Sequence, residues 1–152
     1  MTNARPDWDF PTPFEHPVHV DAKAIDVMGH VNNVQYLRWL EDTAWQHSEA
    51  LGMGWAVYQS LGCGVVATRH EIDYLRPSFA GDHLRIATWC TGSDGRLRLR
   101  RHYQVWNDTH GYTAVRGMTL WVSVDIKTGR PGRMPAEFVA SYTPVAGSLA
   151  FP

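Results

Sequence analysis

Between residues 33 and 51 the apolar side chains Val34, Leu37, Leu40, Ala44 and Leu51 recur at three- and four-residue steps, and from residue 60 onward the period switches to two. The first spacing lines up one face of a helix; the second sends neighbours to opposite faces of a strand. A chain with a single long apolar helix must bury it against the sheet that the remaining strands make. The helix has a start signal in Asn32 or Asn33, either of which suits an N-cap, and a stop signal in Gly52. Tyr36, Trp39 and Trp45 widen its apolar stripe, while Gln35, Arg38, Asp42 and Glu49 form a polar face on which Arg38 and Asp42 can pair.

The strands read as follows. "EHPVHVDA" (15–22) alternates weakly, and Pro17 fits only an edge or a strand start. "GVVATRHEIDYLRP" (64–77), "DHLRIATWCTG" (82–92), "GRLRLRRHYQVWN" (95–107) and "GYTAVRGMTLWVSVDIKT" (111–128) follow, joined by turn-rich "AGD", "GSDG" and "NDTHG". In the third of these, Leu97, Leu99, Tyr103 and Val105 share a face, which Arg101 interrupts; in the last, Tyr112, Ala114, Met118, Leu120, Val122, Val124 and Ile126 share parity. Short joints between long strands imply an antiparallel meander. The expected fold is α+β: a long central helix wrapped by a curled antiparallel sheet of about five strands, with a short C-terminal helix starting at Pro135 as its N1 residue. Residues 1–13 form an extended arm, 14–145 a single domain and 146–152 a tail. One helix cannot cover both faces of such a sheet, so an edge or face is expected to meet a second subunit.

At 152 residues, 44% apolar and 19% charged, the chain suits one globular domain. Its net charge of −1 argues against nucleic acid or an anionic membrane as partner, since both select for basic excess. The N-terminal residues lack the apolar core of a secretory signal, and no run reaches the roughly 20 apolar residues of a membrane span. Cys63 and Cys90 lack metal-site or redox spacing. A cytoplasmic protein with two free thiols is expected.

The chemistry concentrates in "DVMGHVNNVQY" (26–36), directly before the helix. Asn32 and Asn33 are explained by capping alone; Asp26 and His30 are not. A helix N-terminus presents unpaired N–H groups and partial positive charge, which suits a carbonyl oxygen gaining negative charge. An upstream acid could attack that carbonyl or activate water, and an imidazole could donate or accept a proton.

"HVNNVQYLRWLED" (30–42) resembles the active-site segment of plant acyl-carrier-protein thioesterases, and Asp26, Gly29 and Val31 resemble the Asp-x-x-Gly-x-Val pattern of the 4-hydroxybenzoyl-CoA thioesterase-like family. The likeness continues through "YLRPSFAGDHLRI" (74–86) and "VSVDIKTGRPGRMP" (122–135), so it spans most of residues 15–140. It implies the hotdog fold and hydrolysis of acyl-CoA or acyl-carrier-protein thioesters, without metal or cofactor, in a homodimer or homotetramer. By the same resemblance Asp26 is nucleophile or general base, the Asn33 backbone amide holds the oxyanion, and His30 matches the histidine of the plant enzymes. Those enzymes place an asparagine between acid and histidine where this chain has Met28. Val65, Val66, Thr68 and His70 lie on the strand that passes the acyl pocket in the resembling folds, as substrate-binding candidates. Glu41 matches an acid of the plant motif. Arg96, Arg98, Arg100 and Arg101 make a basic strip that could meet coenzyme A phosphates or simply face solvent. A hydratase or dehydratase of the same fold, and a non-catalytic acyl-thioester binder, are the alternatives; the former resembles Asp-x-Asn-Pro-x-His, with five positions from acid to histidine against four here.

Overall fold

A computed structural model describes residues 2–151. Its strands are β1 (Phe14–His19), β2 (Cys63–Tyr74), β3 (His83–Ser93), β4 (Arg98–Asn107) and β5 (Tyr112–Asp125), and its helices are α1 (Asn33–Ala50), α2 (Trp55–Leu61) and α3 (Ala136–Ser141). The strands form one antiparallel sheet in the order β1-β3-β4-β5-β2. Pro17 lies on edge strand β1, where a missing ladder donor costs nothing. β2 forms the other edge. The expected first strand ends earlier than residue 22, because residues Ala22–Ala24 turn into a short 3-10 segment capped by the Asp21 carboxylate. Pro135 is the N-cap of α3 rather than its first residue. α2 is an element that periodicity misses: seven residues are too few to show a helical repeat, and its boundary signals are glycines, Gly54 before it and Gly62 in the left-handed conformation after it.

The buried face of α1 differs from the expected stripe. Tyr36, Leu40, Thr43, Ala44 and Ser48 are buried, while Val34 is 63% and Leu51 38% exposed. Thr43 is tolerated inside because its hydroxyl donates to the Trp39 carbonyl, one turn back. No ion pair joins Arg38 and Asp42, both of which are exposed. Leu40 sits on β5 at Gly117, where an added Cβ would lie 3.0 Å from the Leu40 Cδ1 atom.

A bulge in the β4–β5 register at Val105/Trp106 reverses the parity of β5. Val115, Gly117 and Trp121 therefore join the helix-facing layer, and Met118, Leu120 and Val122 line a groove on the opposite face. Of the set that shares parity in the sequence, Met118, Leu120 and Val122 thus face away from the helix.

Two apolar clusters fill the interior. One joins the first half of α1 to β3, β4 and β5 through Tyr36, Leu40, Leu84, Ile86, Tyr103 and Val105. The other joins α2 and α3 to the sheet through Tyr58, Cys63, Cys90, Leu99, Phe138 and Tyr142. Both cysteines are free and buried.

The outer face of the sheet is covered in part by the chain's own ends. Along the N-terminal arm, Phe10 packs on Trp89 and His102, the Trp89 indole donates to the Pro11 carbonyl, and the Asp9 carboxylate takes a two-pronged bond from Arg116 at 2.7 and 2.9 Å. Gln104, fully buried there, accepts from the Asp9 N–H and donates to the Asp7 carbonyl. At the other end, Arg100 donates to the Leu149 carbonyl, and the guanidinium groups of Arg98 and Arg100 lie over the Phe151 ring.

Candidate functional site

Residues 25–32 are a closed loop. Ile25 and Val31 bridge antiparallel, the Asp26 N–H donates to the His30 carbonyl at 2.9 Å, and the Gly29 N–H donates back to the Asp26 carbonyl at 3.0 Å. Gly29 has φ of +80°, a conformation that a side chain would strain, so glycine makes this turn possible. The loop is pinned at its C-terminal end: Val31 donates to the Ser78 carbonyl and Asn32 to the Ala24 carbonyl.

Asn32 then caps α1. Its Oδ1 accepts from the Val34 N–H at 2.8 Å, and its carbonyl accepts from the Gln35 N–H. Between these the Asn33 N–H has no acceptor among the described residues. Of the two asparagines the first is the cap and the second is the open donor. The Tyr74 hydroxyl donates to the Asn33 carbonyl at 3.0 Å and fixes the orientation of that residue from β2.

A groove opens at this helix end, lined by His30, Val31, Asn33, Tyr36, Tyr74 and Arg76 among others. Exposed apolar side chains crowd this end of the molecule: Val27, Met28, Val34, Tyr74, Leu75 and Phe79. His30 meets the Phe79 ring edge-on, Phe79 meets His110 likewise, and His110 stacks on Tyr112. Behind that row Asp82, only 4% exposed, accepts from the Phe79 N–H, from the Asn107 amide and from His110. Burial pushes the Tyr36, Tyr74 and Tyr112 phenols above their ordinary value, so they stay protonated, and Tyr74 and Tyr112 donate to the Asn33 and Pro77 carbonyls.

The structure brings His30 and Asn33 together in the groove. Asp26 lies outside the groove lining, half-buried at the base of the loop, with Oδ1 accepting from the Met28 N–H at 2.9 Å. The four candidates on β2 are separated by a bulge between Ala67 and Arg69. Val65 lines an interior cavity and the His70 imidazole bonds the Thr119 hydroxyl at 2.8 Å. Thr68 opens onto the outer groove, and Val66 is 46% exposed. They do not form one site within a single chain. The basic strip also divides. Arg98 and Arg100 face the C-terminal residues, Arg96 lies in the β3–β4 turn held by the Asp94 carboxylate, and Arg101 is buried on the helix side. Glu41 is exposed on α1. The residues that sequence reasoning did not single out are Tyr74 and Arg76, which stand within the "YLRP" that ends the second strand.

Comparison with known proteins identifies the family and the fold. The chain is 29% identical over 133 residues to an L-carnitine dehydrogenase/betainyl-CoA thioesterase of Agrobacterium fabrum, covering 88% of this chain and 27% of that protein. It is 25% identical to the long-chain acyl-CoA thioesterase FadM of Escherichia coli, over 74% of this chain and 84% of that one. Among solved structures, a Staphylococcus aureus hypothetical protein in complex with CoA superposes with a TM-score of 0.81 at 18% identity, covering 99% of this chain and 94% of the other. A DHNA-CoA thioesterase of the same organism gives 0.77 at 20% identity, over 86% and 88%. The family profile for the thioesterase-like superfamily matches residues 20–141, most of the chain. With a long helix backed by a five-stranded antiparallel sheet, and with that match, the chain has the hotdog fold and belongs to the thioesterase-like superfamily.

Proposed function

We propose that this protein hydrolyses acyl-CoA thioesters at the N-terminus of α1. The observation that carries the reading is the Asn33 N–H, free at a helix end whose neighbouring donors are taken by Asn32, and opening into a groove. A thioester oxygen placed there gains a hydrogen bond and the favourable end of the helix dipole, and both strengthen as the carbonyl becomes tetrahedral. Asp26 supplies the attack. As nucleophile it forms a bond to the acyl carbon and expels the thiolate of CoA; as general base it takes the proton of the attacking water. His30, on the groove wall against Phe79, orients substrate or loop.

The substrate class is supported by the acyl-CoA thioesterase activities of the relatives and by the CoA in one structural neighbour. A second copy of the chain completes the site in this reading. The outer edge of β2 has no partner strand among the described residues, and the apolar side chains around the groove exceed what a solvated loop needs.

The test is thiol release from a panel of aliphatic and aromatic acyl-CoAs, with acyl-carrier-protein thioesters alongside. Asp26→Ala should lose about 10³-fold in kcat/KM, the scale of removing a catalytic group. His30→Ala should lose less than the 10²-fold that general acid–base catalysis contributes. If no thioester is cleaved, or if Asp26→Ala keeps full activity, this reading fails.

A further inference from the structure

Along β4 the helix-facing positions are Leu99, Arg101, Tyr103 and Val105, and Arg101 occupies a place where its neighbours are apolar. It is 5% exposed. It stands at the seam between the two apolar clusters, beneath the second half of α1. Its Nη1 donates to His47 Nδ1 at 2.8 Å and to the Thr88 hydroxyl at 3.2 Å. Nε and Nη2 donate to no described residue, and no carboxylate among the described residues lies within ion-pair distance. Burial and the adjacent guanidinium push His47 down to about 4, so the ring is neutral and accepts. The pair therefore carries one whole positive charge, because a guanidinium does not give up its proton inside a protein. A buried charge without a counter-ion costs several kcal/mol. Nothing in the surrounding fold removes that cost.

Arg101 lines a small cavity, about 40 Å³, that is open at its mouth. Val65, Leu99 and Trp121 give it apolar walls. A row of hydroxyls crosses it, with Tyr58 bonded to Tyr142 at 2.5 Å and Tyr142 to Ser48 at 2.8 Å. The Trp121 indole N–H is buried and has no acceptor among the described residues. Arginine and tryptophan side chains only donate. What Arg101 and Trp121 lack is thus an acceptor, and beside a buried cation the fitting acceptor is an anion.

We propose that this cavity binds a carboxylate carried on an apolar chain, with Arg101 as the counter-ion and Val65, Leu99 and Trp121 around the carbons. Ala44, at the near side of the cavity, lies eleven residues beyond Asn33, about 16 Å along the helix axis. The carboxylate has two possible sources: the far end of an acyl group that itself ends in a carboxylate, or a free fatty acid.

Trp45 and Trp121 both line the cavity, so their fluorescence reports occupancy. Titration of the protein with octanoate and with octanol should show at least tenfold tighter binding of the acid. Arg101→Met should erase that preference while keeping the fold as stable or more so, the outcome expected when an apolar residue replaces an unpaired buried charge. Val65→Phe, which fills the cavity from β2, should abolish octanoate binding with Arg101 intact. Equal binding of acid and alcohol, or a preference that survives Arg101→Met, overturns the proposal. So does octanoate binding that survives Val65→Phe. These measurements need no turnover, so their failure is distinct from failure of the thioesterase reading. A kinetic arm separates the sources. A distal carboxylate predicts at least tenfold higher kcat/KM for the ω-carboxylated octanoyl-CoA than for octanoyl-CoA, with the ratio lost in Arg101→Met. A free acid predicts equal ratios and inhibition by octanoate.

Discussion

Asn32 and Asn33 are chemically identical neighbours with different tasks, and the hydrogen bonds separate them. Asn32 spends its side chain on the Val34 N–H, and the Asn33 N–H is left without an acceptor among the described residues. Replacing Asn32 by Ala should cost about 1 kcal/mol of stability in urea titrations, the usual value of an N-cap. It should also lower kcat/KM more than Asn33→Ala does, because the Asn33 contribution is a backbone group that the substitution retains. Equal losses for the two variants would refute this division of labour. Asp26 shows a similar economy: one carboxylate oxygen closes its own loop on Met28, which holds the other at a defined place.

At the level of elements, the contact between α1 and β5 sets how near the helix can approach the sheet. Gly117 gives Leu40 its seat. Gly117→Val would force a side chain into that seat, and overpacking of this kind costs typically about 1–3 kcal/mol. A thermal midpoint unchanged from wild type would show that the helix can shift without loss. Much of this layer was legible in the sequence. The single helical period, the alternating runs and the turn residues between them located α1 and all five strands. Besides α2, three things were not legible. The face of α1 that is buried includes Thr43 and Ser48, whose hydroxyls are satisfied by Trp39 and Tyr142, and polarity alone does not disclose that. The parity of β5 reverses at a bulge, and a bulge is one residue with no composition of its own. The four candidates on β2 were expected together because they share a strand, yet the break at Thr68 sends them to different faces. The turn and the cap of the loop before α1 were legible, because Gly29 and the pair Asn32 and Asn33 leave few conformations open, but which asparagine caps needed the hydrogen bonds. Arg101 was visible as a break in an apolar face, and the reason for it needed the cavity.

Over the whole molecule, residues 9–11 and 149–151 lie on the outer face of the sheet, and the groove at the start of α1 is left to the other side. No helix among the described residues is long and apolar enough to cross a membrane. The tyrosines carry a consequence for the molecule as a unit. All six of the chain's phenols are pushed upward, chiefly by burial, with Tyr103 at about 12 and Tyr58 higher still. In the unfolded chain each would ionise near its ordinary value of about 10. A raised folded value favours the protonated form, so its contribution to stability is complete below about pH 10 and drains away as pH climbs through the folded values. Absorbance at 295 nm followed beside circular dichroism should show Tyr58, Tyr103 and Tyr142 ionising together with the loss of secondary structure. Six independent titrations near pH 10 with the fold intact would contradict this. The fold thus has an alkaline ceiling written in its own aromatic hydroxyls, and the residues that mark the ceiling also report, by their colour, the moment it is reached.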